Sequence, residues 1–206
     1  MARRKKESKE KLFQLKITLL NSPIPIWRRV NVKSKTPLPL LHEIFQIVMG
    51  WTNSHLHSFS KDEKTYVIAD EEYPDSYLDE IDFVLADLLK STGDSFIYQY
   101  DFGDSWDHKI VLEKIMPAEG EYLVSCKDGR RACPPEDVGG VRGFANFLDA
   151  IEDPEHPEHQ SYCEWIGCRF DADSFSPMMV NSQLYELNLV TDDLEQMNSN
   201  IYEFSR

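Results

Sequence analysis

The apolar residues near the start of this chain alternate with polar residues at every second position. This spacing is typical of a β-strand with one buried face, because successive side chains of a strand point to opposite sides of the sheet. The alternating apolar residues are Phe13, Leu15, Ile17 and Leu19. A turn-forming NSPIP segment follows, and IWRRVNV at residues 26–32 is predicted to be the returning strand.

A helical spacing replaces this pattern about twenty residues later. Thr36 is expected to cap the helix, Pro37 suits its first turn, and Gly50 suits a left-handed end. Two strands, a helix and further strands predict an α+β domain with a mixed or antiparallel sheet of β-grasp-like character. The apolar positions that recur with the period of a helix are Leu41, Ile44, Phe45 and Val48.

The remaining elements follow from the same patterns. HLHSFSK and KTYVIA, on either side of Asp62 and Glu63, predict a hairpin. Seven of the thirteen residues from 70 to 82 are acidic, so we expect a solvated loop there. Further predictions are a short helix over 83–90, a strand over 96–102, a helix opening at Gly143 and a helical C-terminal part from Ser176.

Length and charge restrict the class of protein. A chain of 206 residues fits one domain, here 12–206, preceded by a basic arm, residues 1–11, with six Lys or Arg and two Glu. The net charge of −14 opposes nucleic-acid binding by the domain, so such contact would depend on the arm. No apolar segment resembles a signal peptide or a membrane span, which favours a cytoplasmic protein without membrane contact.

The stretch YQYDFGDSWDH, residues 98–108, combines aromatic and acidic residues. A three-residue turn over 103–105 would place Asp101 opposite Asp107, and two facing carboxylates are destabilising unless an arginine, a lysine or a cation lies between them. A two-residue turn would instead separate them. The alternative to a functional site is that the aspartates are turn formers and edge charges, with His108 hydrogen-bonded at the end of an aromatic core. The three-residue turn predicts the pairs Phe102 with Trp106, Tyr100 with His108 and Tyr98 with Ile110.

A carboxylate-rich site in this hairpin would suit a divalent metal ion. Asp101 and Asp107 would bind Mg²⁺ or Mn²⁺, and His108 as an additional ligand would favour Zn²⁺. His55 and His57, which would point the same way if both lie on one strand, are the alternative histidine donors.

The segment from Cys126 to Gly140 is the second unusual stretch. Pro134 and Pro135 stiffen the chain, so Glu136 and Asp137 project from a rigid loop. The four cysteines of a chain without secretion signals are expected to be thiols or metal ligands. The sequence leaves two alternatives, a zinc site or buried inert thiols, for Cys126, Cys133, Cys163 and Cys168.

Several motifs together resemble the family named after the third open reading frame of the root-inducing plasmid, over about residues 12–187. The family has no established biochemical activity to carry over. Some relatives are labelled as resolvases or join this domain to DNA-binding modules, but this chain has neither the serine-resolvase pattern nor a helix-turn-helix. The motifs are IWRRV, LHEIFQIVMGW, HLHSF, YDFGDSWDH, ACPPED with GG, DPEHPEH, Trp165, Phe170 with Asp171, and VNSQL.

The resemblance also marks one departure. Family members often have cysteine where this chain has Val138, so a metal site that used this position would be lost or altered here.

Three functional hypotheses follow from the sequence. The first is a module that binds a protein or small molecule through the DFGDSWDH hairpin and the CPPED loop. The second is a metal-dependent hydrolase, in which Asp101, Asp104 or Asp107 and His108 hold the cation and Glu136 or Asp137 is the general base. The third is an accessory factor linked to mobile DNA or nucleic acid through the basic arm. The candidate functional surface comprises Asp101, Asp104, Trp106, Asp107, His108, Glu136 and Asp137.

Overall fold

The computed structural model describes residues 10–69, 76–118, 123–167 and 169–188. It confirms the α+β class. The strands are β1 Lys11–Leu19, β2 Trp27–Lys33, β3 His57–Lys61, β4 Lys64–Val67, β5 Leu78–Asp79, β6 Ser95–Tyr100, β7 Trp106–Pro117 and β8 Val124–Arg130. The helices are α1 Leu38–Met49, α2 Leu85–Leu88, α3 Gly140–Glu152, α4 His159–Ile166 and α5, residues 177–188, with a 3-10 turn at Glu80–Asp82.

The eight strands form one sheet in the order β5-β4-β3-β6-β7-β1-β2-β8. All neighbouring pairs in the described chain are antiparallel except β4 with β5 at one edge. The sheet is therefore mixed, as predicted. The prediction of β-grasp-like character was wrong. A β-grasp fold pairs its first and last strands in parallel, whereas β1 is antiparallel to both of its neighbours.

The alternating residues of β1 form part of the core. Its four apolar side chains are buried, and α1 packs on the same side of the sheet through Phe45, which contacts Phe59 and Tyr98. Burial of one such aromatic side chain contributes roughly 2 kcal/mol, so this face of the sheet is a main source of stability.

The ends of two helices differ from the sequence prediction. Thr36 does not cap α1, because its hydroxyl donates to the carbonyl of Lys33 and Pro37 occupies the N-cap position. Gly50 does end α1 in the left-handed conformation, with φ 94°. Helix α3 begins three residues before Gly143, at Gly140.

The hairpin of β6 and β7 has a five-residue loop, 101–105, instead of either predicted turn. Asp101 has φ 55°, and its Oδ1 accepts hydrogen bonds from the N–H groups of Gly103 and Asp104. The Asp101 side chain thus stabilises the loop by hydrogen bonds to its backbone. The register is shifted by two residues, so Asp101 does not face Asp107. The observed pairs are Tyr100 with Trp106, Gln99 with Asp107, Tyr98 with His108 and Phe96 with Ile110.

The acidic segment 70–82 is only partly a solvated loop. Residues 70–75 lie outside the described residues, but Leu78–Asp79 pair with β4 and Glu80 is fully buried. The expectation of a wholly solvated loop was therefore wrong, because Glu80 has a buried partner in His57.

Two asparagines of α5 bind the outer edge of β8. The side chain of Asn181 bonds both the N–H and the carbonyl of Cys126, and that of Asn188 does the same for Val124. Alternate residues of an edge strand direct these groups outward, so α5 satisfies the β8 backbone where no further strand pairs. In the part of the chain described, no helix has both the length and the apolar composition needed to span a membrane.

Candidate functional site

Three segments that are distant in sequence meet beside α1. They are residues 51–55, the loop 101–105 and residues 133–140, which we call the three-segment site. Trp51 donates its indole N–H to the carbonyl of Pro134 over 3.0 Å, and the hydroxyl of Tyr100 donates to Glu136 over 2.6 Å. Thr52 donates both its N–H and its hydroxyl to Glu136. The rigid CPPED loop is therefore fixed to the end of α1 and to β6.

The loop 101–105 contacts the glycine pair after CPPED. Asp104 accepts the N–H of Gly139 over 3.2 Å, and Gly140, with φ 66°, approaches the carbonyl of Asp104 so closely that a Cβ atom would be 2.6 Å from it. Only glycine allows both the left-handed conformation and this approach. The pair thus joins the two loops that sequence analysis placed on one surface.

An imidazole and two carboxylates converge within the three-segment site. The Nε2 atom of His55 lies 3.1 Å from Asp137 and 3.7 Å from Asp101. The three ligand atoms lie within 4.8 Å of one another. The Asp101 side chain is 11% exposed, that of His55 29% and that of Asp137 73%, so the group opens to solvent on the Asp137 side.

The chemistry of this group suits a divalent cation. Carboxylate oxygens are preferred by hard ions, and one imidazole nitrogen extends the range to Mn²⁺ or Zn²⁺. Both aspartates have left-handed backbone conformations, with φ 55° at Asp101 and 59° at Asp137. Such conformations cost free energy in residues other than glycine and often occur at functional positions.

A buried polar network supports residues 51–55 from the α1 side. Asn53 donates its amide to Glu43, so its Oδ1 is an acceptor, and the Nε2–H of His42 donates to it over 2.6 Å. The Nδ1 of His42 therefore accepts the hydroxyl proton of Tyr98 over 2.8 Å. Gln46 donates to the same hydroxyl and accepts the N–H of Asn53. Each polar group has a partner, which makes the segment rigid.

This network continues to a buried hydrogen bond between His57 and Glu80. The ring of His42 stacks on that of His57 with 3.5 Å between centroids, and the Nε2–H of His57 donates to Glu80 over 2.9 Å. Both side chains of the pair are 2% exposed. Burial, together with the adjacent His57, lowers the pKa of His42 to about 4, so His42 is neutral at physiological pH.

The structure separates several residues that the sequence grouped together. Trp106 and His108 are fully buried beneath the site, and Asp107 lies on the opposite face of the sheet from His108. Burial raises the pKa of Asp107. The metal set of Asp101, Asp107 and His108 does not form, because neighbouring residues of a strand point to opposite faces. Asp101, Asp104, Glu136 and Asp137 do meet in the three-segment site.

The three described cysteines do not come together as a metal-ligand cluster. Cys126 and Cys133 are free thiols, and burial raises the pKa of both, that of Cys133 to about 11. The expectation of a thiol at Cys163 was wrong, because Cys163 is disulfide-bonded. Cys168 lies outside the described residues. Among the residues that are described, the His55 group is the one cluster with metal-ligand geometry.

The paired role of His55 and His57 is also wrong, because β3 begins only at His57. His55 contacts the aspartates, whereas His57 binds Glu80. Sequence reasoning missed Glu80 as a supporting residue. Nothing in the sequence distinguishes it from the other acidic residues of 70–82, since its burial arises from a contact with a distant strand.

Two of the three buried histidines, His42 and His108, predict acid sensitivity. Burial is also the main cause that lowers the pKa of His108 to about 4. Unfolded histidines bind protons below about pH 6.5, so stability is full above that pH and is lost as the pH falls towards 4. We expect each histidine to reduce the free energy of unfolding by roughly 2 kcal/mol between pH 7.5 and 5, measured by urea denaturation. A His108→Leu variant with the same pH dependence as the wild type would contradict this.

Comparison with known proteins places the chain in a family. The plasmid pRiA4b ORF-3-like protein family matches residues 11–179. Uncharacterized protein y4hQ from Sinorhizobium fredii (strain NBRC 101917 / NGR234) is 39% identical over 184 residues, which cover 89% of this chain and 92% of that protein. A crystal structure of a protein of unknown function, MM3350 from Methanosarcina mazei Go1, superposes with a TM-score of 0.74 at 33% identity. The superposition covers 83% of this chain and 98% of the MM3350 chain.

The family match over residues 11–179 covers all three segments of the three-segment site and the eight strands. The names of these relatives state no activity, so the function must be argued from the geometry. The family resemblance inferred from the motifs is confirmed: the chain belongs to the plasmid pRiA4b ORF-3-like protein family.

Proposed function

We propose that this protein is a binding module whose ligand site is the three-segment site, with a divalent cation held by His55, Asp101 and Asp137. The observation that carries the proposal is the convergence of three ligand atoms within 4.8 Å from three separate segments. Three protein ligands leave coordination positions for oxygen donors of a bound partner molecule, since such ions take about six ligands. The exposed Asp137 side is where that molecule would enter.

The rigidity of the site supports binding. Asp101 is fixed by the two N–H groups of its own loop, and Asp137 follows Glu136, which is held by Thr52 and Tyr100. A site whose ligands are already in position loses little conformational entropy when a cation binds. The cation would also offset the repulsion between two neighbouring carboxylates.

A calorimetric titration with Mn²⁺ tests this proposal. We expect stoichiometric binding by the wild type and affinity at least about tenfold weaker in Asp137→Asn, which removes one ligand charge. Asp173→Asn is the matched control, since Asp173 is an exposed aspartate paired with Arg131 away from the site. No binding by the wild type, or an equal loss in both variants, would reject the cation site.

A metal-dependent hydrolase would need a general base beside the same cation. Burial alone would raise the pKa of Glu136, but hydrogen bonds from Thr52 and Tyr100 bring it below its ordinary value. A carboxylate with a low pKa and occupied oxygens is a weak base, so the arrangement favours binding over hydrolysis. A nucleic-acid role through the basic arm remains a separate hypothesis, since residues 1–9 lie outside the described chain.

A further inference from the structure

Arg28 on β2 is a buried arginine whose charge the binding module described above does not use. The side chain is almost completely buried, and four of its N–H groups have acceptors. These acceptors are the carbonyls of Val48, Trp27 and Arg130 and the Sγ atom of Cys133, at 2.9 to 3.1 Å. A guanidinium has five N–H donors, so one hydrogen on Nη2 has no acceptor in the described part of the chain.

The charge of Arg28 also lacks a full counter-charge. No carboxylate of the described residues lies within 4.0 Å of its guanidinium. Cys133 does not supply one, because its raised pKa keeps the thiol protonated at neutral pH. Val48 lies in the last turn of α1, where the helix dipole contributes about half a negative charge. A buried cation with this little compensation is unusual, since charges in protein interiors are normally paired.

Arg28 lines a groove between the end of α1, the CPPED loop and α5. The cavity has a volume of about 410 Å³, within the range of sites for small molecules. Its apolar wall includes Trp51, Phe170 and Phe175, and the Phe175 ring lies 4.1 Å from the centre of the guanidinium. The ring covers one face of the planar group, so a ligand that binds this charge would have to accept the unused Nη2–H at its edge.

We propose that this groove binds a small amphipathic carboxylate. The carboxylate accepts the remaining Nη2–H of Arg28 and supplies the missing negative charge, while an apolar or aromatic body packs against Trp51 and Phe170. Arginine is suited to this role because its planar donors match carboxylate geometry. The groove shares Trp51 and the CPPED loop with the three-segment site, but none of the three proposed cation ligands, His55, Asp101 and Asp137, lines it.

The net charge of the protein helps to distinguish specific binding at Arg28 from non-specific electrostatic attraction. At −14 the chain as a whole repels anions, so non-specific electrostatics would favour a neutral ligand over a charged one. A preference for the anion must then come from a local cation. Arg28 is the cation that lines the groove, and the carboxylate oxygens of Glu136, which also lines it, already accept hydrogen bonds from Thr52 and Tyr100.

The test compares 4-phenylbutyrate with 4-phenylbutanol by isothermal titration calorimetry on the full chain. The two probes have the same apolar body and differ in the carboxylate. We expect the carboxylate to bind the wild type about tenfold more tightly than the alcohol. Equal affinity, tighter binding of the alcohol, or no binding of either probe at millimolar concentration would overturn the proposal.

Two neighbouring methionines on α5 provide matched variants that leave the core intact. Met179 is 69% exposed and lines the groove, whereas Met178 is 79% exposed and does not. We expect Met179→Asp to weaken phenylbutyrate binding about fivefold through charge repulsion and Met178→Asp to leave it unchanged. Equal losses in both would contradict binding in the groove. The Asp137→Asn variant should bind phenylbutyrate like the wild type, so this proposal and the cation site can fail independently.

Discussion

Replacing Gly143 by alanine will lower the free energy of unfolding by about 3 kcal/mol, although the residue lies inside a helix. Helix propensity alone predicts the opposite sign, since alanine is favoured over glycine in a helix by about 1 kcal/mol. We expect a loss of stability instead of this gain because a Cβ atom at position 143 would lie 1.9 Å from the carbonyl oxygen of Val138. The backbone there cannot yield without moving Asp137 and Gly139.

Urea denaturation of Gly143→Ala measures this effect, and Mn²⁺ titration of the folded variant measures its consequence for the site. Gly50→Ala is the control: its left-handed φ of 94° is strained for alanine, but no atom lies within 4 Å of the added Cβ. We expect Gly50→Ala to cost only about 1 kcal/mol and to bind Mn²⁺ normally. A stabilised Gly143→Ala protein would show that α3 does not pack against the CPPED loop as described.

Replacing Glu80 by alanine will cost about 3 to 5 kcal/mol of stability, because it leaves His57 buried without its carboxylate. His57 stacks on His42, and His42 holds Asn53, so the loss reaches residues 51–55 of the three-segment site. We expect the unfolding midpoint in urea to fall and Mn²⁺ affinity to weaken in the same variant.

Two further variants identify the cause of that loss. Glu80→Gln keeps a hydrogen-bond acceptor for His57 and should lose less stability than Glu80→Ala. Glu63→Ala, at the exposed turn between β3 and β4, should change stability by less than about 0.5 kcal/mol. If Glu80→Ala were as stable as Glu63→Ala, the buried pair would carry no net stabilisation.

The sequence predicted the elements whose pattern depends on neighbouring residues. The alternation of Phe13 to Leu19 and the helical spacing of Leu41 to Val48 both correspond to observed elements, since each reflects one buried face. The predicted hairpin register was wrong, because Asp101 leaves the strand and its side chain accepts hydrogen bonds within a five-residue loop. A residue pattern does not distinguish an aspartate that continues a strand from one that closes a loop.

The candidate site was likewise predicted only in part. The sequence placed the hairpin and the CPPED loop on one surface, and the structure brings Asp101 and Asp137 together there. It did not join His55 to them, because this contact depends on how α1 ends and how residues 51–55 then cross the sheet. The sequence pattern did not distinguish Arg28 from other strand residues, because its burial depends on Phe175, nearly 150 positions further along the chain.

The asparagines of α5 have a consequence for assembly. Without α5, the N–H and carbonyl groups of Val124 and Cys126 would form a template on which a strand of another copy could add. Asn181 belongs to the VNSQL motif through which the family resemblance was first inferred. Asn181 and Asn188 therefore occupy the backbone groups that an added strand would need, and we expect removal of α5 to favour association through this edge.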